Sequence, residues 1–149
     1  MRALIQRVLM AKVSVSGEAI GEIGPGLLVF LGVGAGDTET DAEYLAEKIA
    51  NLRIFTDANG KLNDSLLDFK EKMAVLVVSQ FTLYADCRKG RRPFFGAAAA
   101  PEEGFRLYNY FCERINRLGL KVAQGSFGSH MQVELINDGP VTIWIDSKQ

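Results

Sequence analysis

The run Leu27-Leu28-Val29-Phe30-Leu31-Gly32-Val33 carries no charge, amide or hydroxyl. A strand with one wet face alternates apolar and polar residues, so a run without alternation has to be covered on both sides. A second such run, Ala74-Val75-Leu76-Val77-Val78, forms the centre of residues 73–83, the strongest strand signal in the chain. Any fold has to bury both.

The remaining pattern supplies their neighbours. Residues 4–15 read as a strand, with Val13 and Val15 facing one way and Ser14 and Ser16 the other. Residues 17–26 alternate Gly, Glu and Ile before reaching Gly24-Pro25-Gly26, a turn signal. Asp37 or Thr38 can cap a helix with Glu39 and Asp41 in its first turn, and Ala42, Leu45, Ile49 and Leu52 fall on one face of it. Residues 53–56 form a short strand before the turn Asp57-Ala58-Asn59-Gly60. Pro101 suits the first position of a second helix that buries Tyr108, Phe111, Ile115 and Leu118, and Gly119 stops it. Residues 131–136 and 141–145 are two last strands, joined by Asn137-Asp138-Gly139-Pro140. Strands dominate and helices enter as longer excursions. The sequence therefore predicts one α+β domain over residues 1–149: a largely antiparallel, barrel-like sheet with two main helices.

Composition removes several function classes. At 149 residues and 48% hydrophobic content, a single core forms without metal or disulfide staples. Cys87 and Cys112 match no metal or redox spacing, and Cys112 falls on the apolar stripe of the second helix as an inert thiol. Such cysteine use suits a reducing compartment. The N-terminal residues lack a signal-peptide pattern, and no apolar run reaches the ~20 residues of a membrane span. The expectation is a soluble, cytosolic protein with no membrane partner.

The glycines at 32, 34 and 36 do not match a dinucleotide-binding loop, and Asp37, Glu39 and Asp41 would repel a phosphate from the helix that follows. A nucleophile elbow is absent, the single histidine is His130, and the carboxylates are scattered. No cofactor and no metal are expected. An enzyme of this composition has to act on a substrate that brings its own reactive group. Net charge is −1, but Arg88, Lys89, Arg91 and Arg92 cluster in one loop, which suits contact with a small part of an RNA.

Two segments carry functional signal. At Ser79-Gln80-Phe81-Thr82-Leu83 the buried strand turns polar, placing hydrogen-bonding groups and an aromatic ring on rigid support. In Asn137-Asp138-Gly139-Pro140-Val141-Thr142, Asp-Gly signals a tight turn, yet Pro140 removes an N–H where pairing should resume. A Gly-Pro bond also has a realistic cis option. With no amide at Pro140, the carbonyls of Gly139 and Pro140 can act as uncontested acceptors.

Together these segments resemble the signature pair of D-aminoacyl-tRNA deacylases. The resemblance extends to Gln6-Arg7-Val8 with Ala11 and Val13, to a Gly21-Glu22-Ile23-Gly24 turn, to Arg91-Arg92-Pro93 and to Gly125-Ser126-Phe127-Gly128-Ser129-His130-Met131. Ser129 departs from it, standing where the family has alanine.

The resemblance implies a homodimer with two active sites at its interface. It implies hydrolysis of the ester between a D-amino acid, or glycine, and the acceptor end of tRNA, with L-aminoacyl esters rejected. A cis Gly139-Pro140 bond would project into the partner subunit's site, facing Ser79, Gln80, Phe81 and Thr82. Amides near Phe81 and Thr82 would stabilise the oxyanion, and the Gly139 and Pro140 carbonyls would receive the α-amino group. Phe127 and Met131 would line the pocket beside Asn137, Arg7 would brace the interface or the turn, and Arg88, Lys89, Arg91 and Arg92 would meet phosphates. Thr82 is read as a positioning group, because no base accompanies it. The rival reading is a non-catalytic RNA- or DNA-binding protein on the same fold.

Overall fold

The computed structural model describes residues 1–149. Its elements run β1 (Arg2–Val15), β2 (Glu18–Ile23), β3 (Gly26–Gly32), α1 (Glu39–Asn51), β4 (Phe55–Thr56), β5 (Leu62–Asp64), β6 (Ala74–Ser79), α2 (Pro101–Arg117), β7 (Lys121–Gln124) and β8 (Gln132–Asp146). No helix is long and apolar enough to cross a membrane.

The main sheet has the order β2-β1-β3-β6-β7, with β8 along the other side of β1. It curls until β2 and β7 nearly meet: a Cβ on Gly21 would lie 2.7 Å from the Gln124 carbonyl oxygen. The two apolar runs sit at its centre. Leu27, Val29, Leu31, Val75 and Val77 face both helices in one core of 24 buried residues. Leu28, Leu76 and Val78 face the barrel interior with Val8, Ala11, Val13 and Ile23. Burial on both faces is why neither run alternates.

The sheet is mixed rather than largely antiparallel. β3 pairs with β6, and β6 with β7, in parallel. Parallel neighbours need long crossovers, and the crossovers here contain α1 and α2. Strand β7, over Lys121–Gln124, is an element the sequence reading lacked.

The helices follow their local chemistry. Thr38 caps α1, its backbone N–H donating to Asp41 Oδ2 at 2.8 Å and its hydroxyl to the same oxygen at 3.2 Å. Burial acts against the Asp41 carboxylate, yet hydrogen bonds from Lys148, Ser147 and Thr38 outweigh it and hold the group well below the usual carboxylate range. Pro101 opens α2, and Gly119 ends it with a φ of 87°. Tyr108, Phe111 and Ile115 are buried and Leu118 partly so.

Three local expectations are corrected. Residues 21–23 belong to β2, and the turn begins only at Gly24. The strand from residue 73 ends at Ser79, and Phe81–Tyr84 form a single-turn helix. Residues 137–140 do not reverse the chain: β8 runs through them, and both of its halves pair with β1.

Candidate active site

A cavity of about 520 Å³ opens at the C-terminal ends of the parallel strands β3 and β6. Ligands of sheets with parallel strands collect there, because the strands end in loops while the helices that follow begin nearby. Leu31, Val33 and Val78 form its floor, Ser79, Gln80 and Phe81 one edge, and residues 127–131 another. Ala98, Ala99, Pro101 and Gly104 complete the wall from the start of α2. Those four were missed from sequence. Gly104 carried a signal, since an isolated glycine inside a helical pattern has a packing reason when it has any. Here a Cβ at 104 would come within 3.2 Å of the Phe127 ring.

Phe127 is positioned from both sides. Its ring packs edge-on against Phe105 at 5.4 Å and tilted against Tyr108 at 5.9 Å. Tyr108 is itself fixed by donating its hydroxyl to the Val77 carbonyl at 2.8 Å. Met131 is tied to the same loop through its sulfur, which accepts the Ser126 N–H at 3.3 Å. Ser129 lines the cavity and shares a 2.7 Å hydrogen bond with the Ser126 hydroxyl. The Ser129 hydroxyl is therefore bound within the loop.

At the polar edge, the Gln80 N–H donates to the Leu31 carbonyl at 2.8 Å, locking the strand end. The Gln80 side-chain amide donates to the Thr82 hydroxyl. Phe81 and Thr82 open the single-turn helix, so their own amides have no intrahelical acceptor. The exposed Phe81 ring stacks edge-on against Phe95 at 5.1 Å. No three His, Cys, Asp or Glu side chains converge as a metal site. Cys112 lies on the buried face of α2, and burial pushes its thiol up to about 12, which leaves it protonated and inert.

The second signature segment lies elsewhere on the chain. Residues 138–141 of β8 stand opposite Arg7 alone, between the pairs Gln6–Thr142 and Val8–Asn137. This bulge is held by side chains where the ladder is broken. The Asn137 amide donates to the carbonyls of Arg7 at 2.9 Å and Val141 at 3.1 Å. Arg7, only 8% exposed, donates to the carbonyls of Asp138 at 3.2 Å and Ile54 at 2.6 Å, and pairs with the Asp138 carboxylate at 3.0 Å. The Gly139–Pro140 peptide bond is cis, and both residues are exposed. Neither lines the cavity of its own chain.

The basic loop forms a third group. Asp86 and Phe94 close it with two backbone hydrogen bonds of 2.7 and 3.0 Å. Arg88 turns back onto Asp86 through a bidentate pair at 2.8 and 2.6 Å, which holds the Asp86 carboxyl down to about 2. Lys89, Arg91 and Arg92 are exposed and form no ion pair.

This sequence matches the D-Tyr-tRNA(Tyr) deacylase family model over residues 4–146. The chain belongs to this family. A D-aminoacyl-tRNA deacylase of Dehalococcoides mccartyi is 61% identical over 148 residues, covering 99% of this chain and 95% of that protein. One of Thermosipho melanesiensis is 57% identical over 150 residues, covering 100% and 99%. Among solved structures, a c-Myc DNA unwinding element binding protein superposes with a TM-score of 0.89 at 42% identity, covering 98% of each chain. A probable eukaryotic D-amino acid tRNA deacylase superposes at 0.81 with 20% identity and 97% coverage of each, which speaks for the fold alone. The deacylase fold thus holds the polar edge, Phe127 and Met131 at one cavity, and Arg7 with residues 137–141 at a separate bulge.

Proposed function

We propose that this chain hydrolyses the ester joining a D-amino acid to the terminal adenosine of tRNA, acting in the cytosol as one domain over residues 1–149. The observation that carries the reading is the cavity. Its volume suits an aminoacyl-adenosine, and its mainly apolar lining is interrupted by Ser79 and Gln80 at one edge and by Ser129 and His130 at another. Family membership supplies the substrate class.

The mechanism needs little from the protein because an aminoacyl ester is already activated. Water adds to the ester carbonyl while the vicinal ribose hydroxyl assists the proton transfer. The tetrahedral intermediate then collapses, releasing the amino acid and the ribose hydroxyl of tRNA. The amides of Phe81 and Thr82 receive the developing oxyanion, and Gln80 orients the Thr82 hydroxyl as a positioning group. Phe127 and Met131 give the adenosine or aminoacyl group an apolar wall.

Chiral selection falls to the bulge of a partner subunit in a homodimer. Exposed large apolar side chains on β1 and β8, Leu9, Ile136 and Trp144, favour such an assembly. The Gly139 and Pro140 carbonyls would receive the α-amino group and occupy the space an L side chain needs, with Asn137 and Arg7 holding the bulge. Glycine has no side chain to exclude, so glycyl-tRNA is also a substrate. The loop cations bind phosphates near the acceptor end.

Purified protein incubated with matched D-, L- and glycyl-tRNA tests the reading through loss of ester. D-aminoacyl and glycyl esters are cleaved, L-aminoacyl esters persist, and Pro140→Ala narrows that difference. Equal destruction of D and L esters contradicts it. One structural relative is a DNA-element binding protein, which favours a second reading of nucleic-acid binding without hydrolysis. That reading predicts affinity but no ester loss, and indifference to substitution at Gly139 or Pro140.

A further inference from the structure

Phe94 is the most exposed large apolar side chain of the protein, at 69%. It sits on a fixed base, because its own backbone closes the loop against Asp86. The ring lies over Gly96, where a Cβ would stand 2.4 Å from the ring's Cζ. The absence of a side chain at Gly96 makes room for the ring, which stays largely open to solvent. Within the same loop, Lys89, Arg91 and Arg92 carry unpaired positive charge, while Arg88 is neutralised by Asp86. The next residue, Phe95, packs against Phe81 on the rim of the cavity.

A solvent-facing aromatic ring among free cations has the composition of a single-strand platform: a base stacks on the ring and flanking phosphates meet the charges. We propose that Phe94 stacks an unpaired nucleotide of the RNA acceptor end, next to the one held in the cavity, with Lys89, Arg91 and Arg92 on the neighbouring phosphates. This rests on the hydrolase reading for its substrate and adds a binding element outside the catalytic cavity. The partner is single-stranded because a stacked base in a duplex has no free face to offer.

The test compares two substrates that differ only in the neighbouring nucleotides: D-aminoacyl-tRNA, and a D-aminoacyl ester of adenosine alone. Phe94→Ala should raise KM for the tRNA about tenfold, the size of one base–aromatic stack. It should change kcat/KM on the adenosine ester by less than about twofold, since that ester lacks the stacked base. Phe94→Trp should restore tRNA binding, and Gly96→Ala, which displaces the ring without removing it, should give an intermediate loss. The salt dependence of KM should keep its slope in Phe94→Ala, because stacking releases no counterions, and flatten in Arg91→Ala.

Wild-type KM for tRNA in Phe94→Ala overturns the proposal. So does an equal loss on both substrates, or a change of oligomeric state on removing the ring, which would assign Phe94 to a protein contact. Binding of uncharged tRNA to the wild-type and Phe94→Ala proteins reports on the platform independently. Failure of the wild-type protein to cleave either D-ester would refute the hydrolase reading and leave that binding comparison standing.

Discussion

Residues 79–82 and residues 137–141 both interrupt a strand with polar groups, but they are built for opposite purposes. The first segment ends a buried parallel strand and turns at once into a helix start, with Ser79, Gln80 and Phe81 lining a cavity of its own chain and Thr82 exposed outside that lining. The second stays within an antiparallel ladder, pushes outward opposite Arg7, and presents exposed backbone to no cavity of its own chain. Side-chain hydrogen bonds to backbone hold the second more extensively. Arg7 spends its guanidinium on Asp138 and Ile54, and Asn137 spends its amide across the gap. A rigid, exposed, side-chain-poor bulge is what a surface needs in order to enter another molecule's site without reorganising.

The largest expected effect comes from adding one methyl group to the bulge. A Cβ on Gly139 meets only Asn137 Oδ1, at 3.4 Å, so Gly139→Ala leaves the fold of the single chain intact. If the bulge lies against the reacting ester, that methyl displaces it, and turnover of D-aminoacyl-tRNA falls on the order of a hundredfold with thermal stability unchanged. A loss of stability matching the loss of activity would return Gly139 to a purely structural role.

Removing the brace separates the segments differently. Arg7→Met keeps the stem but leaves the Ile54 and Asp138 carbonyls without their charged donor, so stability to urea should fall by about 1.5–3 kcal/mol. Thr82→Ala, by contrast, should leave stability alone and reduce kcat about tenfold, the value of one positioning hydrogen bond. Abolished activity in a folded Thr82→Ala protein would restore Thr82 as nucleophile. The smallest effect is electrostatic. Neutralising Arg91 or Arg92 should reduce the dependence of log KM for tRNA on log salt concentration by roughly 0.7 per lost phosphate contact.

Much of this comparison was legible in the sequence. The apolar runs at 27–33 and 74–78 announced strands covered on both faces, and Pro101 with Gly119 marked the ends of α2. The same runs also held the clue that was misread: strands buried on both faces are the mark of parallel pairing between crossover helices, which makes the sheet mixed. β7 escaped because Lys121–Gln124 is short and carries no alternation strong enough to stand alone. Asp-Gly-Pro looked like a chain reversal because turn chemistry is local. That the strand continues is a property of pairing with β1, fixed by Arg7 and Asn137 more than a hundred positions apart. At the cavity, Ser79, Gln80, Phe81, Phe127 and Met131 could be named from their motifs. Leu31, Ala98 and Ala99 could not, since nothing distinguishes an apolar wall residue from ordinary core until the strands are placed.

The central claim is that the bulge of one subunit serves the cavity of another, and subunit mixing tests it most directly. Thr82→Pro removes the Thr82 amide proposed as an oxyanion donor in one protein, and Gly139→Val blocks the bulge in the other. Each alone should be inactive on D-aminoacyl-tRNA. After dissociation and reassociation together, mixed dimers carry one intact cavity facing one intact bulge, and activity should return to about a quarter of the wild-type sites if pairing is random. If the mixture stays as inactive as its components while forming mixed dimers, the bulge does not act across the interface.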